Sequence, residues 1–376
     1  MYANFFLFSP TLQFQMLQPV KFSRKNNADF VKELKANVNN YFKENKISKF
    51  GNYKMVVKSI FMLTLYLTPY CVILFTENNN VWLHLGMWAI MGLGMSGIGL
   101  SIMHDANHGS YSKNALVNKL MSSVIYMVGG NSLNWKIQHN VLHHTYTNIE
   151  GLDEDIEAPV VALRFSPHQP KKKIQKYQHL YAWIFYGFLT LTWAFDADFK
   201  QMVGFKKKGL IKGQNKSFGR IMFDLVFFKL LYYVFIFVLP ITLSVAPWWI
   251  SIVGFFVMQF IAGLVLASIF QPAHVVPDTE YPLPDDNGNM ESSWLVHQLQ
   301  TTTNFAQKNK AFTWFVGGLN HQVEHHLFPT ICHIHYPKIS AIVKETALAY
   351  NLPYHSYPKF TNALYNHAKL LKQFGQ

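Results

Sequence analysis

Residues 81–108 read VWLHLGMWAIMGLGMSGIGLSIMHDANH, an apolar run that ends in two histidines, His104 and His108. A helix needs about 20 apolar residues to cross the roughly 30 Å hydrocarbon layer of a bilayer, so residues 81–103 are predicted to span a membrane. Residues 56–75, 221–245 and 248–270 have similar length and character. The links TENNN and APW within each pair are short, which predicts two helical hairpins. The predicted fold class is an all-α integral membrane protein with four transmembrane helices.

The composition agrees with a membrane protein that also has a polar portion. Half of the 376 residues are hydrophobic and 14% are charged. The two cysteines cannot form a disulfide framework. The net charge is +13, but the basic residues are spread over loops beside the apolar runs and form no nucleic-acid-binding module. We therefore expect the positive charge to attract anionic lipid head groups of the membrane and not nucleic acid.

The positions of the basic residues predict the orientation of the helices. Lys and Arg number 9 before residue 56, 15 between residues 104 and 220, and 7 after residue 270, and neither hairpin tip carries any. Basic loops stay in the cytoplasm. Both termini and the long central loop are therefore expected on the cytoplasmic side, where they would form a helical cap.

Eight of the 17 histidines occur in four places on that predicted side. These places are HDANH (His104 and His108), HNVLHH (His139, His143 and His144), QPAH (His274) and QVEHH (His325 and His326). Residues four apart on a helix share a face, so each HxxxH pair can direct two imidazoles into one volume. Adjacent histidines diverge by about 100° around a helix, which suits two metal ions. A histidine-built two-metal site at the cytoplasmic membrane boundary is predicted.

Imidazole ligands do not name the metal, because they suit zinc, copper, iron and nickel. Eight histidines exceed the three or four ligands of a single zinc, and the absence of HExxH argues against a zinc protease. A metal transporter would place ligands deep within its spans, whereas these histidines are predicted to follow them. A membrane metal protein without enzymatic turnover stays open as an alternative. The remaining histidines are expected to be ordinary.

With these motifs in place, the chain resembles the membrane fatty acid desaturase family over residues 50–335. The family's three histidine boxes stand here as His104 to His108, His139 to His144 and Gln322 to His326. The strings HHTYTNIEGLDEDI and GGLNHQVEHHLFP are similar to the front-end, linoleoyl-CoA desaturase-like branch. The resemblance implies a non-haem di-iron site that uses O2 to introduce a cis double bond into a fatty acyl chain. It divides the chain into a cytoplasmic N-terminal region (1–55), a desaturase domain (56–335) and a cytoplasmic C-terminal helical tail (336–376).

The resemblance also implies roles for individual residues. The iron ligands carried over from the family are His104, His108, His139, His143, His144, His325 and His326, with His274 as a further ligand. Gln322 opens the third box and is expected either to bind metal or to act through water, while His321 offers an alternative register. Carboxylates often accept a hydrogen bond from the outer nitrogen of a metal-bound imidazole. The candidates for this supporting role are Asp105, Asp153 and Asp155, with Asn107 as a further hydrogen-bonding partner.

The expected substrate is a fatty acyl-CoA or acyl-lipid. No HPGG string of a fused cytochrome b5 domain occurs, so a separate ferredoxin, or cytochrome b5 with its reductase, is expected to supply electrons. This favours a bacterial plasma membrane, with endoplasmic reticulum second. Hydroxylation or ketolation of a lipid on the same scaffold is the competing reaction. The position of the double bond, the acyl chain length and the acyl carrier are left open.

Overall fold

The computed structural model describes residues 20–157, 160–214 and 216–376, most of which are helical. The α-helices are α1 (Ala28–Glu44), α2 (Tyr53–Phe75), α3 (Val81–Gly97), α4 (His104–Asn107), α5 (Ala115–Ser123), α6 (Ser132–Trp135), α7 (His144–Tyr146), α8 (Gln178–Gly187), α9 (Leu189–Phe195), α10 (Ala197–Lys207), α11 (Phe218–Tyr233), α12 (Leu239–Leu243), α13 (Trp248–His274), α14 (Trp294–Thr301), α15 (Lys310–Phe315), α16 (Gln322–Leu327), α17 (Tyr336–Ala349) and α18 (Phe360–Gly375). π-Helical segments cover Ile98–Met103, Lys136–His143 and Val234–Val238, and 3₁₀ segments cover Val124–Val128, Lys173–Tyr177 and His333–His335.

Four helices are long and apolar enough to cross a membrane, as predicted: Tyr53–Phe75, Val81–Asn107, Phe218–Leu243 and Trp248–His274. The second and fourth extend four residues beyond their predicted ends at 103 and 270. A π-helical segment joins α3 to α4 without a break, and α13 continues through Pro272. His104 and His274 therefore lie inside the last turns of these helices, and the helical backbone fixes their positions.

The described residues are mostly helical, as predicted, but they also contain two short pairs of β-strands that were not predicted. β1 (Lys21–Phe22) pairs in parallel with β2 (Asn289–Met290), and β3 (Thr303–Phe305) pairs in parallel with β4 (His355–Tyr357). Strands of two or three residues are too short to show the alternating pattern by which strands are recognised in a sequence. Each pair joins two chain segments that are distant in sequence and builds no larger sheet.

Glycines bring the spanning helices close together, and α3 packs against both α2 and α13. A Cβ atom at Gly92 would lie 2.7 Å from the Met258 carbonyl oxygen. At Gly254, a Cβ atom would lie 2.0 Å from the buried indole of Trp88. Small residues at helix crossings allow such close approach in membranes. These contacts therefore align α13, which carries His274, with α3, which continues through the π-helical segment into α4 and His104.

The third span is attached by a buried ion pair. Only 28% of its most apolar stretch is buried, yet Lys229 lies inside the protein with its Nζ 2.7 Å from the Asp198 Oδ2 of α10. Asp224 pairs instead with Arg220 and Lys216, at 2.9 and 2.7 Å. The three charges of this span, Arg220, Asp224 and Lys229, are thus all paired, and Lys229 connects the span to the central loop.

The Gly254–Trp88 contact gives a stability prediction. Gly254→Ala forces Trp88 to move, and overpacking of this kind costs about 1–3 kcal/mol. We expect a lower unfolding temperature for purified protein in detergent, followed by tryptophan fluorescence. The matched control is Gly86→Ala in α3, where an added Cβ meets nothing within 4 Å. Equal unfolding temperatures for the two variants contradict the packing described here.

Candidate metal centre

The histidine motifs lie on helix ends that converge. The first box occupies α4, the second occupies the π-helical segment Lys136–His143 and α7, and the third lies on α16. π-Helical turns are rare and occur often at functional sites. Their i to i+5 pattern brings His139 and His144 together, with their Nε2 atoms 3.2 Å apart. His139 and His143, which were expected to share a volume, also lie close, with ring centroids 5.2 Å apart and one ring nitrogen of each in a group with Asp155.

Ring nitrogens of the eight histidines form two main groups. Within each group, one ring nitrogen of every histidine lies within 4.8 Å of those of the other members. The first group is His104, His108, His139 and His325, and the second is His143, His274 and His326. His144 lies between the sets, with its Nε2 3.0 Å from that of His325 and in a third group with His325 and His326. The rings of His143 and His144 are inclined at 79°, so adjacent residues turn apart as predicted.

Three of the rings have their outer nitrogens fixed by hydrogen-bond acceptors. His143 Nδ1 lies 3.0 Å from Asp153 Oδ1, His274 Nδ1 lies 3.1 Å from the Thr301 carbonyl, and His326 Nδ1 lies 2.8 Å from Gln298 Oε1. Because these oxygens accept, each Nδ1 carries the proton and donates it. In the neutral ring Nε2 then keeps its lone pair, which is the form that binds a metal ion.

Several inner nitrogens are buried without any partner. They include both ring nitrogens of His104 and the Nε2 atoms of His108, His274 and His326. A buried polar atom without a hydrogen bond is costly. Two unprotonated Nε2 atoms that face each other at 3.0–3.2 Å, as around His144, would repel. Metal ions between the rings would remove both costs, so the donor set fits a metal centre.

The environment keeps most of these rings neutral. Burial, followed by the charges that neighbouring imidazoles would carry, holds the pKa well below 6.5 for His108, His139, His144, His325 and His326. Burial also opposes the protonation of His143, but the carboxylates of Asp153 and Asp155 outweigh it and raise its pKa to about 9. The neutral rings offer free lone pairs to a metal at neutral pH.

Of the supporting residues expected from the sequence, Asp153 makes the predicted contact with a box histidine. Its buried carboxylate also accepts the backbone N–H groups of Asn148 and Asp155. Asp155 lies 3.3 Å from His143 Nδ1 and 4.0 Å from His139 Nδ1. Asn107 makes no hydrogen bond to a box histidine: its amide oxygen accepts from Ser132 and its amide nitrogen contacts Met103 Sδ.

Gln322, which opens the third box, and His321, which precedes it, are both buried. The amide nitrogen of Gln322 has no hydrogen-bond partner. His321 Nδ1 lies 3.2 Å from Gln307 Nε2, and His321 belongs to none of the histidine groups formed by the described residues. His321 therefore lies apart from the histidine cluster, and the alternative register in which His321 binds metal is not favoured.

Helix α14 contains contacts that no motif in the sequence indicates. Trp294 Nε1 donates to the His144 carbonyl at 3.0 Å, and Gln298 Nε2 donates to the same oxygen at 3.2 Å. His297 Nε2 lies 2.8 Å from the Thr147 carbonyl. Three side chains of one helix therefore hold the backbone of the second box. The helical spacing of Trp294, His297 and Gln298 is the only sequence signal for this role, and it does not identify their partner.

A second buried network lies behind the first box. Asp105 Oδ2 accepts from the backbone N–H of His333 at 3.2 Å and from His333 Nδ1 at 2.9 Å, whereas His104 Nδ1 is 3.7 Å from Asp105 Oδ1. Lys58 of α2 donates to His333 Nε2 at 2.6 Å. Asp105 was expected to support a box histidine directly, but its hydrogen bonds go to His333. Both Lys58 and His333 were overlooked in the sequence because their partners are distant.

We predict that Lys58→Met destabilises the protein, because His333 and the Asp105 carboxylate lose a buried cationic partner. Leaving such groups unsatisfied costs about 1–3 kcal/mol. Thermal unfolding in detergent measures the effect. Lys54→Met is the control, since Lys54 lies one turn earlier on α2 and is exposed. An unfolding temperature for Lys58→Met that equals that of Lys54→Met argues against the network.

Comparison with known proteins agrees with this geometry. A family model described as fatty acid desaturase matches residues 80–358. An acyl-lipid (8-3)-desaturase of Physcomitrium patens is 36% identical over 95% of this chain and 74% of its own length. The sn-1 linoleoyl-lipid 6-desaturases of Arthrospira platensis and Synechocystis are 35% and 33% identical, over 92% and 95% of this chain and 92% and 98% of their own lengths.

These relatives are of the front-end type that the flanking strings of the boxes indicated. The matched region contains all eight clustered histidines. The chain belongs to the fatty acid desaturase family and is an oxidoreductase.

Proposed function

We propose that this protein is an O2-dependent di-iron front-end desaturase, which introduces a cis double bond between an existing double bond and the carboxyl end of an acyl chain. The observation that carries the proposal is the pair of buried imidazole groups with inward-facing, unpartnered nitrogens. Family membership supports the reaction type.

One iron would be held by His104, His108, His139 and His325, and the other by His143, His274 and His326, with His144 available to either. Desaturation is an oxidation, and zinc has no redox chemistry, so a redox-active metal such as iron suits the reaction better than zinc. When bound, the two irons supply the redox chemistry that activates O2. The overall reaction converts a CH2–CH2 unit, O2, two electrons and two protons into a CH=CH unit and two molecules of water.

The protein's own groups would orient the ligands and exclude water. Asp153 holds His143 in one tautomer, as Thr301 and Gln298 do for His274 and His326. The Trp135 ring packs on His139 with a centroid distance of 4.4 Å, and Phe270 lies 6.2 Å from the same ring. Seven of the eight histidines are buried, and only His108 is partly exposed. Such a dry site limits side reactions with solvent.

The proposed substrate is an unsaturated acyl chain, with an acyl-lipid favoured over acyl-CoA because the relatives named above are acyl-lipid and linoleoyl-lipid desaturases. Gln322 keeps a supporting role in the proposal, whereas Asp105 and Asn107 would act on the first box only indirectly, through His333 and Ser132. The four spans would form two hairpins with both termini and the helical cap in the cytoplasm, in agreement with the distribution of basic residues. Electrons would come from a separate carrier protein, and the protein would lie in a bacterial plasma membrane. The desaturase domain would cover residues 56–335, between a cytoplasmic N-terminal region and a cytoplasmic C-terminal tail.

The test is to express the full chain in a host supplied with linoleate and to locate double bonds in the lipids by mass spectrometry. We expect one additional cis double bond on the carboxyl side of those already present. A hydroxy or keto product without a new double bond contradicts the proposal.

Histidine variants in the same experiment connect the product to the site. His143→Ala and His325→Ala each remove one ligand from a different group and should abolish the product, while membrane fractions still contain the protein. His168→Ala is the control, because His168 is exposed and lies outside the cluster. Full product from both ligand variants contradicts the proposed role of the histidines.

A further inference from the structure

A basic groove of about 870 Å³ lies beside the second histidine box. Its rim carries Lys21, Arg24 and Lys32, and its floor includes Phe22 and Trp294. No acidic side chain of the described residues lines it. We call this surface, defined by these five residues, the basic groove.

Trp294 connects the basic groove to the metal centre. Its ring is partly exposed and lines the groove, while its indole N–H donates to the carbonyl of His144 at 3.0 Å. His144 Nε2 in turn lies 3.0 Å from His325 Nε2 and 3.2 Å from His139 Nε2. A single side chain therefore separates the protein surface from the backbone of a residue at the centre of the histidine cluster.

The basic groove is held in shape before any partner binds. Lys21 and Phe22 form β1, which pairs with β2, and Ser23 N donates to the Ser292 carbonyl at 3.1 Å. The Phe22 ring packs against His297 at a centroid distance of 5.1 Å, and His297 is bonded to the second box through Thr147. A preformed site lowers the entropy lost on binding, which is what a transient partner requires.

We infer that the basic groove is the docking surface for an acidic one-electron carrier protein, and that Trp294 lies on the path of the electrons to the metal centre. The inference rests on the proposed function. Each turnover requires two electrons, so two reduced carriers dock in succession, and each leaves oxidised by one electron. Charge complementarity supports this occupant: three cationic side chains on the rim attract an acidic surface and increase its rate of encounter.

Helix α1 also carries two acidic side chains near the basic groove. Asp29 and Glu33 do not line the basic groove, and Glu33 accepts a hydrogen bond from the Tyr350 hydroxyl at 2.7 Å. An anionic acyl headgroup is the other ligand that three cationic side chains could attract, and the experiment separates the two.

The test compares two reductants on purified full-length enzyme with iron loaded. One is a protein carrier, either a soluble cytochrome b5 domain or a plant-type ferredoxin, and the other is dithionite, which needs no docking. In the triple variant Lys21→Glu, Arg24→Glu and Lys32→Glu we expect the apparent KM for the carrier to rise about tenfold or more, while the single-turnover product with dithionite stays unchanged. Lys359→Glu, Lys369→Glu and Lys372→Glu form the matched control, since these exposed lysines lie outside the groove.

Trp294→Phe tests the electron path separately from docking. It keeps an aromatic ring in the basic groove but removes the N–H bonded to His144. We expect slower oxidation of the reduced carrier in anaerobic mixing, with an unchanged apparent KM for the carrier. Unchanged rates in this variant rule out the Trp294 path.

The other outcomes are also decisive. A raised KM for the acyl substrate, with an unchanged KM for the carrier, assigns the basic groove to a headgroup and overturns the inference. Failure of both carriers to reduce the unsubstituted enzyme, when dithionite does yield product, overturns it as well. If dithionite yields no desaturated product from the unsubstituted enzyme, the proposed function itself fails, and the inference fails with it.

Discussion

The architecture depends on eight clustered imidazoles, seven of them buried, in which the Nε2 atom of His144 faces those of His139 and His325. Rings with unprotonated nitrogens 3.0–3.2 Å apart are tolerated in a protein interior only if cations lie between them or if the surrounding structure holds them there. Here the surroundings do hold them: His104 and His274 lie near the ends of the continuous helices Val81–Asn107 and Trp248–His274, and α14 fixes the second box from outside. The close glycine-mediated packing of α3 on α13 is therefore also a constraint on the site.

Acceptors around the cluster decide which nitrogen is available in three of its rings, those of His143, His274 and His326. The carboxylate of Asp153, the carbonyl of Thr301 and the amide oxygen of Gln298 each select the tautomer that directs Nε2 inward. Among the clustered histidines of the described residues, His143 alone contacts two carboxylates, and its pKa is raised. The positive charge of bound metals would thus be balanced close to His143, while Asp105 is neutralised separately by Lys58 and His333.

Much of this arrangement follows from local sequence, and the rest does not. The four spans follow from apolar runs of sufficient length, and the histidine boxes follow from their spacing and from their position after the spans. The pairing of His139 with His144 was not predictable, because a π-helical turn is imposed by tertiary contacts and leaves no periodic signal. The roles of Lys58, His333 and Trp294 were missed for a similar reason: each depends on a partner more than 140 residues away in the chain. Asn107 was expected to support a box histidine, but its buried amide oxygen accepts a hydrogen bond from Ser132 instead.

Metal analysis combined with Mössbauer spectroscopy on ⁵⁷Fe-loaded, purified protein tests the central claim most directly. The account predicts two irons per chain, each with the isomer shift of high-spin, nitrogen-ligated iron, and a loss of one of them when His274 is replaced by Ala. A purified, active protein that contains zinc, or only one iron per chain, contradicts it.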